Sequence, residues 1–234
     1  IEKTGERLDL IMIPKVGTAA DVYAVDMLIT QVENAMGKTK RLGLELLIES
    51  ALGLSNIEAI AAASPRNESL HFGVADYSAS LRARTTGIGG PNPMYGVLTD
   101  RIDGQEREFH WGDMWHYPIS RMVVAARANG LRPVDGPFGD FGDSDGYKAQ
   151  ASRAAVLGCE GKWAIHPSQI DLANAVFSPL DAEVERANRI LAAMAEAEQA
   201  GRGAVSLDGR LIDYASMRQA QAIVDLARTI DERT

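Results

Sequence analysis

The chain has 234 residues, 46% hydrophobic and 24% charged, enough to bury one large core or two modest ones. A formal net charge of -8 without a basic stripe argues against a nucleic-acid or anionic-membrane partner, because nothing is present to neutralise a row of phosphates. The single cysteine, Cys159, excludes an internal disulfide and fits a reducing cytoplasm, and neither a membrane-length apolar stretch nor a signal-peptide pattern is found.

In chain order, apolar runs alternate with helical patterns, which is the layout of βαβ units. A strand over 10–14 precedes a helix over 19–35, a strand over 44–48 a helix over 53–62, and a strand over 70–74 a helix over 78–84. A helix over 113–129 then leads into a strand over 131–134, followed by a helix over 143–157, and a strand over 162–165 with a helix over 168–175 closes the series. Between the third and fourth pairs lies a long glycine- and proline-rich segment, 85–112, whose Tyr95, Phe109 and Trp111 mark it as ordered. The tail reads as a helix opened by Ser178, Pro179 and Asp181, a break at 201–203, a hairpin-like stretch and a final amphipathic helix.

Strand then helix, five times over, predicts a TIM (β/α)8 barrel. The chain would carry its last five βα units in residues 1–177, with a C-terminal helix and lid extension in residues 178–234. A whole barrel needs eight units and about 250 residues, so about three units, on the order of 90 residues, are expected upstream of Ile1. The competing architecture is an open doubly wound five-stranded sheet. Against it stands the lack of a glycine-rich phosphate loop after the first strand, where IMIPKVGTAAD offers only Gly17.

Glu49, in LELLIESALGL, and Asp76, in SLHFGVADYSASL, each stand where an apolar strand gives way to a helix. They are about one strand–helix repeat apart, so they would come from neighbouring strand ends and can share one ion. Hard oxygen ligands with water completing the shell suit Mg²⁺, with Mn²⁺ as a substitute. Zinc is disfavoured, since His71, His110, His116 and His166 are scattered and no HExxH or CxxC occurs. Each carboxylate taken alone fits a helix cap or first-turn acid equally well. Lys15 follows the first strand and can pair with those acids or with a substrate oxygen, or simply be a snorkelling surface lysine. His166, in GKWAIHPSQI, closes the fifth strand and would face the same mouth. Asp135, in RPVDGPFGDFGD, also falls at a strand end before a Gly-Pro turn, and turn formation is the favoured reading for Asp140 and Asp143.

Together these segments resemble the citrate lyase β-subunit-like (HpcH/HpaI aldolase) superfamily, most closely its L-malyl-CoA/β-methylmalyl-CoA lyase branch. The carrying residues are IMIPKV at 11–16, LIESALGL at 47–54, FGVADYSAS at 72–80, TTGIGG at 85–90, PVDGPFGDF at 133–141, GKWAIHPSQI at 161–170 and DGRLIDYAS at 208–216. The resemblance implies a cytoplasmic TIM-barrel lyase. It would cleave L-malyl-CoA or β-methylmalyl-CoA, by a reversible Mg²⁺-dependent retro-aldol (Claisen) reaction, to glyoxylate and acetyl-CoA or propionyl-CoA. It implies Glu49 and Asp76 as metal ligands, and Ala75, Asp76, Ile165 and His166 as substrate-lining positions. Asp213 would be a catalytic acid–base that a neighbouring subunit's C-terminal lid inserts into the site, so a homo-oligomer with exchanged lids is implied as well. The family's first three strands, with a catalytic arginine and most CoA-phosphate contacts, would precede Ile1. A malyl-CoA thioesterase and a citramalyl-CoA lyase are the rival enzymes, and an inactive barrel remnant acting as an assembly subunit is the non-enzymatic rival.

Overall fold

Leu44, Leu46 and Ile48 alternate along one strand and Leu70 and Phe72 along the next, and all five are 0% exposed. This period of two turns an apolar face of the sheet toward covering helices. Burying each such side chain contributes roughly 1.5–3 kcal/mol. The computed structural model describes residues 7–85 and 87–232, so Thr86 of the TTGIGG motif lies outside the described residues.

The chain forms two compact units, Ile1–Ala173 and Asn174–Thr234. The first runs β1 (Leu10–Ile13), α1 (Ala19–Ala35), β2 (Gly43–Ile48), α2 (Ala51–Ser55), α3 (Ile57–Ala61), β3 (Asn67–Phe72) and α4 (Val74–Ser80). It continues β4 (Gly96–Leu98), β5 (Phe109–Trp111), α5 (His116–Ala128), β6 (Arg132–Asp135), α6 (Ser144–Leu157), β7 (Gly161–Lys162) and α7 (Ile170–Phe177), and the unit boundary falls within α7. Five strands make one parallel sheet in the order β1-β2-β3-β6-β7. That order is sequential, with no point where it reverses. A doubly wound sheet requires such a reversal, and a barrel arc does not, so the strand order itself decides for the (β/α)8 type.

Helices α1, α3, α5 and α6 bury Val22, Ile29, Ile57, Ile60, Ile119, Met122 and Tyr147. The opposite face of the sheet is the more polar one, carrying Glu45 and Glu49 from the β2 side and Ser69 and His71 from β3 among Met12, Leu47 and Val134. At the N-terminal end, Arg66 ties α1 to the sheet. Its guanidinium meets Asp26 and Glu33 at 2.6 Å each and donates to Thr30 Oγ1 (2.8 Å) and to the Leu42 carbonyl (2.9 Å).

Four details differ from the sequence-based expectations. The helix expected over 53–62 is split at Asn56, whose amide donates to the Gly17 carbonyl at 2.9 Å. Helix α4 starts at Val74, earlier than expected, which puts Asp76 in its first turn. Strand β7 stops at Lys162, because the Ile165 N–H goes to Gln169 Oε1 (2.8 Å) instead of to a neighbouring strand. The segment 85–112 is not merely an ordered loop: β4 and β5 pair as an antiparallel hairpin with Val97, Leu98, Phe109 and Trp111 exposed.

The second unit contains α8 (Asp181–Gln199), β8 (Ala204–Leu207), β9 (Arg210–Asp213) and α9 (Tyr214–Asp231). The β8–β9 hairpin turns through Asp208 (φ 50°) and Gly209 (φ 74°), both left-handed as a tight two-residue turn requires. Arg189 of α8 holds that turn through Asp208 at 2.7 Å. Ala187, Met194, Ala197, Ile212 and Ala220 form this unit's own small core. Among the described residues no helix is long and apolar enough to cross a membrane.

Candidate metal site at the strand ends

Lys15 follows β1 with φ 55°, a left-handed conformation that costs a side-chain-bearing residue energy and signals a constraint. The turn after it is fixed by Asp21, whose Oδ2 accepts from the N–H groups of Gly17 (3.0 Å) and Thr18 (2.8 Å). In this conformation the Lys15 backbone N–H donates to Glu49 Oε1 at 2.8 Å, while its ammonium reaches Asp76 Oδ1 at 2.6 Å. The structure therefore brings Lys15, Glu49 and Asp76 together from the ends of three neighbouring strands.

The two acids differ in environment. Glu49 is 6% exposed, whereas the Asp76 side chain is 54% exposed. Burial pushes the Glu49 carboxyl above its ordinary range, the Lys15 N–H opposes this, and the nearby Asp76 charge adds to it. The hydrogen bond and charge of Asp76 hold the Lys15 ammonium above its usual value. Gly73 makes room for Glu49, since a Cβ there would lie 2.4 Å from Glu49 Cβ and 2.8 Å from Oε2. Gly136 lets β6 close on β3, where a Cβ would stand 1.9 Å from the Phe72 carbonyl oxygen.

This donor set fits a hard divalent cation. A buried carboxylate whose charge is penalised, beside a second carboxylate that penalises it further, is relieved by added positive charge. Among the described residues no group of three or more His, Cys, Asp or Glu side chains is placed to hold a metal. Two carboxylates with water filling the remaining positions is the manner in which Mg²⁺ is commonly held.

The other sequence-derived positions lie on the same edge of the sheet or in the second unit. Ala75 and Asp76 are exposed in the first turn of α4. Ile165 and His166 are exposed in the segment after β7. The His166 ring stacks on Phe141 at 4.6 Å and 16°, and its Nδ1 accepts from the Ser168 N–H (3.2 Å) to cap the 3-10 turn Pro167–Gln169. Gln169, 0% exposed, closes the segment by donating to the Phe138 carbonyl at 3.0 Å while accepting from Ile165. The glycine-rich stretch 87–90 borders an open cleft of about 560 Å³, together with Phe138, Gly139, Asp140 and Asp143. Asp213 belongs to the second unit, where its Oδ1 caps α9 by accepting from the Ser216 N–H (3.0 Å) and Oγ (3.1 Å); these bonds hold its carboxyl below the usual range.

Sequence reasoning missed the buried pair at this edge of the sheet. Asp135 Oδ2 meets Lys162 Nζ at 2.7 Å, with side chains only 4% and 1% exposed, while its Oδ1 accepts the Gly136 N–H at 2.8 Å. Asp135 thus does form the turn, but it also neutralises a lysine that burial pushes below its ordinary value. The two residues are register partners on β6 and β7, a relation that the linear sequence does not display.

A sequential parallel sheet with carboxylates gathered at its C-terminal edge is the layout of a barrel enzyme. The chain belongs to the HpcH/HpaI aldolase/citrate lyase family, whose pattern matches residues 1–167. It is 52% identical over 230 residues to L-malyl-CoA/beta-methylmalyl-CoA lyase of Cereibacter sphaeroides, covering 98% of this chain and 70% of that protein. A (3S)-malyl-CoA thioesterase of the same organism is 34% identical over 226 residues, covering 97% and 67%. Among solved structures, CitE from Mycobacterium tuberculosis in complex with magnesium, acetoacetate and coenzyme A is 25% identical, with a TM-score of 0.66 over 94% of this chain and 68% of that one.

Proposed function

We propose that the protein is a carbon–carbon lyase that cleaves L-malyl-CoA or β-methylmalyl-CoA reversibly to glyoxylate and acetyl-CoA or propionyl-CoA, with Mg²⁺ held by Glu49 and Asp76. Mn²⁺ is proposed as a substitute metal and the cytoplasm as the place of action. The observation that carries the reading is the cluster at the strand ends, a buried glutamate and an exposed aspartate bridged by one strained lysine. The similarity to a malyl-CoA/β-methylmalyl-CoA lyase, stronger than that to a malyl-CoA thioesterase, favours C–C cleavage over thioester hydrolysis.

When bound, a divalent cation there supplies Lewis-acid stabilisation of negative charge on the substrate's hydroxyl and carboxylate oxygens. Glu49 is held rigidly for that task by the Lys15 N–H and by close packing against Gly73. The Lys15 ammonium balances Asp76 and is a second positive charge for an anionic substrate. Ala75, Ile165 and His166 are proposed to line the substrate, with His166 oriented by Phe141 and Ser168. In cleavage the substrate hydroxyl gives its proton to a water molecule, the bond between the carbinol and α-carbons breaks, and the departing α-carbon gains a proton. Asp213 is proposed to deliver that proton, and to remove it in condensation, from the C-terminal unit of a neighbouring subunit in a homo-oligomer. General acid–base help of this kind is typically worth about 10²–10⁴-fold.

The test is to offer malyl-CoA to the full-length protein with Mg²⁺ and to trap glyoxylate as its phenylhydrazone, with and without chelator. Chelator-sensitive glyoxylate is the expected result. Malate and free CoA without glyoxylate would transfer the assignment to a thioesterase, and activity only on citramalyl-CoA, with pyruvate as product, to the third enzyme class.

A further inference from the structure

His71 on β3 and Trp163 just beyond β7 share the polar face of the sheet, since His71 is in register with Val134 and Val134 with Gly161. The indole Nε1 donates to His71 Nδ1 at 2.9 Å, with the rings edge to face at 6.0 Å and 62°. The other ring nitrogen, Nε2, lies 2.9 Å from Ser69 Oγ and 3.5 Å from Glu45 Oε1. Ser69 Oγ in turn lies 3.3 Å from Glu45 Oε1.

An indole N–H only donates, so Nδ1 of His71 carries no proton and the neutral ring bears its hydrogen on Nε2. The donors then run one way, from Trp163 to His71, from His71 to Ser69 and from Ser69 to the Glu45 carboxylate. A second proton on His71 would occupy Nδ1, set two N–H groups against each other and break the bond to Trp163.

We propose that His71 is a positioning residue whose bare Nδ1 latches the Trp163 indole, fixing the start of the segment that carries Ile165 and His166, and that protonation of His71 releases this latch. The functional half of this proposal rests on the reading that Ile165 and His166 line the substrate. The backbone of Trp163 has anchors of its own, its N–H to the Asp135 carbonyl (3.0 Å) and its carbonyl to the Tyr147 hydroxyl (3.2 Å). The bond to His71 therefore adds a side-chain anchor to these two backbone anchors at the start of the segment. The charged groups acting on His71 are Glu45 of β2, which favours the added proton, and Arg132 of β6, which opposes it. Burial opposes it most strongly and holds His71 below its ordinary value of about 6.5. The latch is thus closed at neutral pH and opens in acid.

The test is to follow the imidazole and indole N–H signals of the full-length, substrate-free protein by ¹⁵N–¹H NMR from about pH 8 to about pH 4.5. An Nε2–H tautomer at neutral pH is expected, with the Trp163 indole signal moving at the same midpoint as His71, below about 6.5. His71→Asn places a non-titrating acceptor near the position of Nδ1, so the indole signal should stay fixed across the range and the corresponding acid limb of kcat/KM should disappear. His71→Phe, without an acceptor, should lower kcat/KM about tenfold, the equivalent of one lost hydrogen bond, and His71→Asn should restore it. An indole signal that ignores the titration of His71, or a proton on Nδ1 at neutral pH, overturns the latch. A His71→Phe enzyme with unchanged kcat/KM and pH profile overturns the positioning role. The NMR reading needs no substrate, so it separates failure of the latch from failure of the lyase assignment.

Discussion

Two clusters of one cation and two carboxylates sit at opposite ends of the same sheet, and they are built to opposite ends. At the N-terminal end, Arg66 is 2% exposed, and its hydrogen bonds to Asp26, Thr30, Glu33 and the Leu42 carbonyl leave its charge fully matched. At the C-terminal end, the Lys15 side chain is 69% exposed and sits on a left-handed backbone, and the buried Glu49 accepts the Lys15 backbone N–H while the Asp76 charge stands beside it. The first cluster has no spare capacity for another charge, whereas the second holds an imbalance that an added cation relieves. In barrels the C-terminal face carries chemistry and the N-terminal face carries stability, and the proposed metal site falls on the first of these and the Arg66 cluster on the second.

The contrast breaks most sharply with Asp76→Asn, which should abolish Mg²⁺ binding and lower turnover roughly 10³-fold, as expected from losing several kcal/mol of metal-supplied charge stabilisation. Its unfolding midpoint should hold, since Asp76 is exposed. Isothermal titration with Mg²⁺ and a thermal melt together check this, and undiminished Mg²⁺ affinity would remove Asp76 from the site. Arg66→Met is the mirror experiment. Leaving the buried Glu33 and the partly buried Asp26 without their partner should cost about 3–5 kcal/mol in urea unfolding, with turnover per folded molecule unchanged. Next comes Asp213→Asn: asparagine caps a helix as well as aspartate does, so α9 should persist while turnover falls about 10²-fold and Mg²⁺ affinity stays. Equal losses of melting temperature and rate would reduce Asp213 to its capping role.

The smallest effect separates the clusters by pH. Hydrogen bonds from Arg66 help hold the Asp26 and Glu33 carboxyls below their ordinary values, against the opposing effect of burial. Folded-state values that are depressed mean that the unfolded chain binds more protons, so the stabilisation is complete above the ordinary carboxylate range of about 4 and fades as pH falls through the lower folded values. Urea midpoints of the wild type should therefore decline below about pH 4, and the decline should be shallower in Arg66→Met.

Much of this arrangement can be read from local pattern. The five sheet strands were placed to within a few residues because the alternation of Leu44, Leu46 and Ile48, or of Leu70 and Phe72, is local. The placing of Glu49 and Asp76 at neighbouring strand ends was legible for the same reason, since each follows such a run. What local pattern cannot supply is the partner on another strand. Asp135 with Lys162, His71 with Trp163 and Arg66 with Asp26 and Glu33 depend on register and on helix packing, so each half looked ordinary in the sequence. The β4–β5 hairpin escaped because its three-residue strands expose both faces and carry no alternation to detect.

The sequential strand order has a bearing on how the protein is made. Among the described residues each sheet strand pairs with the sheet strand before it and the one after it, so a chain emerging from the ribosome can add one βα unit at a time to a surface already formed. The step from β3 to β6 is the exception. There the long segment with its hairpin must be synthesised before the next sheet strand arrives, leaving the edge of β3 bare for the longest interval. A pause in assembly, with its exposure to misfolding and to chaperones, belongs at that junction.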